Sequence, residues 1–196
     1  MTWIQTNSIA QFFPLDPRVQ DVNVKDIIHS LSHLCRYNGH SNKMYTVGHH
    51  SIMVAKIVQK LGGTLEEVKW GLAHDFGEAY CGDLPSPIKN HPTMVAFRDM
   101  ENKIVAAIAE KIGLVGPEPA LVKKVDRCMI TFEAASEYVF SGLHEAWPFG
   151  PAPEDIKQAM ADIGGFNATA CMEPQEVRAT MTSMFNELFP EMAVTL

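Results

Sequence analysis

Apolar residues recur at three- and four-residue spacing along most of the chain, and glycines and prolines cut those runs into helix-sized pieces. From Asp26, the residues Ile27, Ile28, Leu31 and Leu34 form one stripe, broken at Tyr37-Asn38-Gly39, where the glycine suits a left-handed position. A second helix is predicted from about Val47 to Leu61, with Ile52, Ala55, Val58 and Leu61 on its apolar side and Gly62-Gly63 at its end. Thr64 stands three residues before Glu67, the signature of a capping box. The third helix it opens carries Val68, Leu72, Phe76 and Ala79 inward and is expected to run to near Gly82.

A proline-rich loop follows, and then the longest helix. Met94, Phe97, Met100, Ile104, Ile108 and Ile112 mark its core face, and Gly113 its end. Pro119 suits the first turn of a fifth helix in which Leu121, Val125, Cys128 and Phe132 repeat. Residues 141–170 read as a loop with one short helix, and a last helix covers about Pro174 to Leu188. The first 24 residues suggest a short extended pair. The prediction is a single all-α domain over residues 1–196, a compact bundle of six or more helices with its core at about 26–140 and a C-terminal loop and helix at 141–196.

Composition narrows the function classes. The 196 residues are 46% hydrophobic and 20% charged, enough for an unaided core. A net charge of −7 argues against a nucleic-acid polymer as partner but not against a small anion neutralised by a metal. Cys35, Cys81, Cys128 and Cys171 show no CxxC pairing and read as reduced, mostly buried thiols. There is no basic, then apolar, N-terminal segment and no long apolar run, so a cytoplasmic protein without a membrane partner is expected. The methionines fall mostly at helical core positions, and Trp3, Trp70 and Trp147 read as packing residues.

Candidate chemistry gathers around His74-Asp75. Neighbours on a helix point about 100° apart, so both can ligate one ion only beside the helix, with further donors from other helices. His50 and Asp126 are the natural candidates. Glu78 falls on the face of His74 and Asp75, and Gly71, one turn earlier, leaves room for a ligand. Such a face without lysine or arginine makes sense around a cation. Mixed imidazole and carboxylate ligation suits one divalent ion: Mn²⁺, Co²⁺, Fe²⁺, Zn²⁺ or Mg²⁺. Spacing alone does not choose between His49 and His50, while His29, His33 and His40 lack partners at ligand spacing.

His50-Ser51, His74-Asp75-Phe76-Gly77-Glu78, the stretch GDLPSPIK from Gly82 to Lys89, and Lys123-Lys124-Val125-Asp126 together resemble the HD-domain phosphohydrolases in order and context. GDLPSPIK looks like the bacterial 5′-deoxynucleotidases, whereas LCRYNGH (34–40) and YTVGHHS (45–51) look like the small phage dATP triphosphohydrolases. The resemblance runs from about His29 to Glu137 and favours His50 over His49. It implies His50, His74, Asp75 and Asp126 as metal ligands, and Glu78 and Asp83 as the carboxyls that manage water and protons. It implies Arg36, Lys89 and Lys123 as phosphate contacts, with Tyr37 and Gly39 shaping the base pocket.

Plainer roles stand beside these. Lys89 and Lys123 also suit solvated lysines, Asp83 a local turn, and Arg36 a helix C-terminus. The resemblance implies a triphosphohydrolase releasing deoxynucleoside and triphosphate, dATP foremost. A 5′-deoxynucleotidase and a catalytically silent nucleotide-binding regulator are the alternatives. A small-molecule nucleotide would be the partner, in a homo-oligomer (dimer or hexamer), and a phage origin would place it in host cytoplasm.

Overall fold

Asn23 starts the bundle: its side chain accepts a hydrogen bond from Lys25 N at 3.0 Å and opens α1 (Val24–His33). The computed structural model describes residues 2–166 and 172–195. Ahead of α1, β1 (Ile4–Gln5) and β2 (Gln11–Phe12) pair antiparallel with Ile4 opposite Phe12, the expected extended pair. Buried Asp26 ties this hairpin to α1 by accepting from Ser8 N at 2.7 Å and Ser8 Oγ at 2.6 Å.

Thr46 caps α2 (Val47–Lys60), accepting from His49 N at 3.2 Å. From Val47 to Val58 every α2 residue except Lys56 is buried, because α1, α3, α7, α8 and α9 surround it. The predicted capping box is present: Thr64 N donates to Glu67 Oε2 at 2.8 Å and Glu67 N to Thr64 Oγ1 at 3.2 Å, opening α3 (Leu65–Ala73).

The chain continues through α4 (Glu78–Cys81), α5 (Ser86–Lys89), α6 (Val95–Ile112), α7 (Ala120–Ala134), α8 (Glu154–Asp162) and α9 (Pro174–Leu188). Gly113 ends α6 at φ 71° in the left-handed region. The fold is thus all-α, as expected, and α9 packs on α1, α2 and α3 within the main core. Among the described residues no helix is long and apolar enough to cross a membrane.

Several elements differ from the sequence reading. The third helix does not run to Gly82; it stops at Ala73, and residues 74–77 form tight turns with three-residue bonds, Phe76 N to Ala73 O at 3.0 Å and Glu78 N to Asp75 O at 3.0 Å. The cause is the His74 side chain, whose Nδ1 takes the Gly71 carbonyl at 2.9 Å, the acceptor a continuing helix needs. The buried face of α7 is Val122, Val125, Met129 and Glu133, leaving Leu121, Cys128 and Phe132 half-buried at its flanks. Met94 lies in a turn before α6, and Met94, Phe97 and Met100 are only half-buried. Cys35, Cys81 and Cys128 are free but half-buried rather than buried, and Cys171 lies outside the described residues. Trp70 is buried, with its Nε1 donating to Val115 O at 3.2 Å, but Trp3 is exposed.

Gly71 has a different purpose from the one expected. A Cβ there would come within 3.0 Å of the Ala55 Cα, so the glycine lets α3 lie directly on α2 and makes no room for a ligand. Gly71→Ala gains about 1 kcal/mol of helix propensity. Forcing two helix backbones apart costs about 1–3 kcal/mol, which outweighs it. The expected result is a lower urea midpoint at unchanged slope in equilibrium unfolding.

Candidate metal centre

Three elements deliver the site. The Thr46 cap fixes where α2 begins and so where His50 points; the early end of α3 presents His74 and Asp75 from one turn; α7 brings Asp126 across from the opposite side. His50 Nδ1 donates to Glu133 Oε1 at 2.8 Å, and His74 Nδ1 donates to the Gly71 carbonyl at 2.9 Å. Both imidazoles therefore turn Nε2 inward, 3.3 Å apart.

Asp75 Oδ2 lies 3.2 Å from His74 Nε2 and 3.7 Å from His50 Nε2. Donors about 2.0–2.2 Å from one ion stand roughly 3.0–3.6 Å from each other. His50, His74 and Asp75 can thus hold a metal ion. Asp126 Oδ1 lies 3.0 Å from His50 Nε2 and 3.8 Å from His74 Nε2, with its side chain 38% exposed to the cleft.

Acceptors facing one another in this way require positive charge between them. Without a metal, protons supply it. Burial opposes a charged His74, but the Asp75 carboxylate outweighs burial and pushes the imidazole pKa up to about 9. His50 is likewise raised against burial and Arg36 by its bonds to Asp126 and Glu133. Burial would raise Asp75, yet His74, His50 and Arg36 hold it well below the ordinary carboxylate value.

The two expected proton-handling carboxyls shift the other way. Burial, then Asp75 and Asp83, raise Glu78, whose Oε2 has no hydrogen-bond partner among the described residues. Burial also raises Asp83, which makes no turn hydrogen bond among the described residues.

Two cavities flank the centre. A polar cleft of 770 Å³ is bordered by His74, Asp75, Glu78, Lys89, Lys123 and Asp126, with Arg98 and Glu118 alongside. An apolar cavity of 650 Å³ is lined by Arg36, Tyr37, Asp83, Ile130, Trp147 and Phe149. Trp147 is thus a cavity wall as well as a packing residue, its ring set edge-on to Phe140 with the centroids 6.0 Å apart.

The other expected site residues fall as follows. Arg36 does not cap α1; its guanidinium lies 3.7 Å from Asp75 and 3.5 Å from Glu133. Lys89 is bonded to Glu101 at 2.6 Å, and Lys123 is 52% exposed, 3.9 Å from Glu118. Gly39 is left-handed at φ 76° but exposed and lines neither cavity. His49 turns away from the centre into the core beside Tyr45 and Phe166, where burial pushes its pKa down to about 4. His40 is exposed, and His33 bonds the His29 carbonyl at 2.8 Å.

Sequence reasoning missed Glu133 and Tyr45, both buried, with Tyr45 OH donating to Glu133 Oε1 at 2.7 Å. One signal was available: Glu133 follows Asp126 by seven residues, two helical turns on the same face.

Fold and site together define an all-α protein with a His-His-Asp group, His50 buried and His74 and Asp75 half-buried, able to hold a metal ion. The chain belongs to the family of YfdR, an uncharacterized protein of Escherichia coli, with which it shares 35% identity over 133 residues, 68% of this chain and 71% of YfdR. An uncharacterized protein of Rhodobacter capsulatus is 27% identical over 183 residues, 89% of each chain. No protein-family model matches the chain.

A metal must displace protons from this centre. With His74 pushed up to about 9, Co²⁺ affinity of the metal-stripped protein should rise from pH 6 to pH 9, about tenfold per pH unit for each proton released. Calorimetric titration at several pH values checks this, and a flat profile would contradict it. The same raised pKa stabilises the metal-free fold fully below the ordinary 6.5, and that contribution is lost as pH rises through about 9.

Proposed function

We propose that the protein is a metal-dependent phosphohydrolase of the HD-domain type that hydrolyses a deoxynucleoside triphosphate, dATP foremost, to deoxynucleoside and inorganic triphosphate. The observation that carries this reading is the inward pair of His50 and His74 Nε2 atoms, with Asp75 and Asp126 beside them, between a polar cleft and an aromatic cavity. All four side chains would hold the ion. A divalent ion bound there supplies Lewis acidity and a water of lowered pKa.

The rest falls to the chain. Tyr37, Trp147 and Phe149 offer aromatic faces for a base, and Arg36 links that cavity to the centre through Asp75 at 3.7 Å. The cleft, with Lys89, Arg98 and Lys123, would take the phosphates. Glu78 and Asp83, both raised by burial, are suited to hold a proton for the departing 5′ oxygen and to take one from the attacking water. The choice of dATP rests on the resemblance of residues 34–40 and 45–51 to the phage enzymes.

One observation favours a 5′-deoxynucleotidase as the second reading. Lys89 is already paired with Glu101 at 2.6 Å and Lys123 is near Glu118, so the cations free to hold a long phosphate chain are fewer than the sequence suggests.

Product analysis by anion-exchange chromatography separates the readings. Metal-stripped protein is resupplied with Co²⁺, Mn²⁺ or Mg²⁺ and given the four common dNTPs, ATP and dAMP in turn. Deoxyadenosine with intact triphosphate from dATP is expected. Orthophosphate from dAMP with triphosphates untouched would replace that reading with the second, and no turnover with any metal would leave a silent nucleotide-binding protein. Asp75→Ala should lower kcat/KM by at least about a thousandfold, the scale of about 4 kcal/mol at the barrier. Trp147→Ala should raise KM about tenfold and leave kcat near wild type, since losing one base-stacking contact costs about 1–3 kcal/mol.

A further inference from the structure

Glu133 is 0% exposed, and its carboxylate lies among the side chains of Arg36, His50, Tyr45 and Tyr37. A buried carboxylate needs one good cationic partner to persist, and Arg36, with Nη2 3.5 Å from Oε2, supplies that. Glu133 has more. Its Oε1 receives His50 Nδ1 at 2.8 Å and Tyr45 OH at 2.7 Å, and its Oε2 receives Tyr37 OH.

The two oxygens therefore serve different parts of the site. On the Oε1 side, an imidazole can present either nitrogen to the centre, and the Nδ1–H bond to a carboxylate decides that Nε2 does so, with greater donor strength. Tyr45, itself buried and fixed at the foot of α2, holds Oε1 in place for that bond. On the Oε2 side, Tyr37 and Asn38 are left-handed at φ 57° and φ 51°. That conformation is disfavoured for a residue with a Cβ and needs an external hold.

We propose that Glu133 is a positioning residue: Oε1 sets His50 Nε2 toward the metal, while Oε2 clamps the Arg36-Tyr37 arm that lines the aromatic cavity. The inference rests on the metal-centre reading above and assigns Glu133 no contact with substrate.

The test is Co²⁺ binding, followed by visible absorption, in the full chain and three variants. Glu133→Gln keeps the shape and removes the charge, and should lower Co²⁺ affinity about 10–100-fold, the usual cost of losing a carboxylate behind a ligating histidine. Tyr45→Phe keeps the carboxylate and removes the bond that steadies Oε1; it should lower affinity about three- to tenfold. Should Glu133→Gln fail to fold because Arg36 is left without its counter-charge, Tyr45→Phe carries the test. Ile112→Ala, at the C-terminal end of α6 and outside both cavities, should lower Tm while leaving Co²⁺ affinity at the wild-type value.

A second readout is the His50 Nδ1–H proton in the zinc-loaded protein by ¹H–¹⁵N NMR. It should be shifted downfield and protected from exchange in wild type and Ile112→Ala, and move upfield in Glu133→Gln. Wild-type Co²⁺ affinity in both Glu133→Gln and Tyr45→Phe, with only Tm changed, would overturn the proposal and leave Glu133 as a structural ion pair. Equal losses of affinity in Ile112→Ala would overturn it too. Absence of Co²⁺ and Zn²⁺ binding in wild type would instead overturn the metal centre, and this inference with it.

Discussion

α2 runs through the middle of the molecule with almost every residue from Val47 to Val58 shielded from water. A polar side chain there can find partners only inside the protein, and leaving a buried polar group unpaired is costly; His49 Nε2 and Ser51 Oγ on the same helix have no hydrogen-bond partner among the described residues. His50 is the case in point. Its Nδ1 is satisfied by Glu133, which is in turn satisfied by Tyr45, Tyr37 and Arg36, and its Nε2 faces Asp126, Asp75 and His74. The site is therefore continuous with the core's own pairing of polar groups, and Glu133 sits as deep as any apolar residue. His49, next in sequence but a third of a turn away, shows the alternative: turned into apolar surroundings, it is held neutral with a pKa of about 4.

The break after α3 follows the same logic at smaller scale. A regular helix through residues 74–77 would give the Gly71 carbonyl to Asp75 N. His74 Nδ1 takes that carbonyl instead, which fixes the ring with Nε2 inward and lets the chain tighten into a turn in which Glu78 N donates to Asp75 O at 3.0 Å. Apolar periodicity could not reveal this, since Phe76 and Ala79 still face inward after the break and the pattern runs on undisturbed. The break is encoded in one side-chain-to-backbone hydrogen bond, a competition that becomes visible only once the ring is placed.

What was legible in the sequence was whatever depends on local rules. The Thr64–Glu67 box, the Gly113 stop and the span Pro174–Leu188 all follow from capping chemistry and turn residues, and the structure has them where expected. The gathering of His50, His74, Asp75 and Asp126 was legible as residue types suited to one ion; the structure groups the first three so that they can hold one and sets Asp126 Oδ1 3.0 Å from His50 Nε2. The face of α7 was misjudged because its apolar residues admit two stripes about 100° apart. One runs through Leu121 and Cys128, the other through Val122 and Met129, and choosing between them requires knowing that Glu133 is buried. A glutamate normally argues for solvent, so the residue that settles the face argues, by composition alone, for the wrong one.

The charge balance of the cleft gives the metal a second purpose on the proposed function. Lys89 is paired with Glu101 and Lys123 stands near Glu118, so much of the cleft's positive charge is already opposed by carboxylates on the same walls. Asp75 and Asp126 add negative charge at its floor, opposed in the metal-free protein by protons on His74 and His50. On the proposed function, a polyphosphate approaching the metal-free cleft would find its positive groups already matched by these carboxylates, in a low-dielectric setting where such pairings are strong. One divalent ion among His50, His74, Asp75 and Asp126 would replace those protons with a compact double charge open to phosphate oxygens, while Lys89 and Lys123 keep their own carboxylates. On the proposed function, prior metal binding would favour nucleotide binding, and Arg36, bridging Asp75 and Glu133, would feel both events through the same pair of carboxylates.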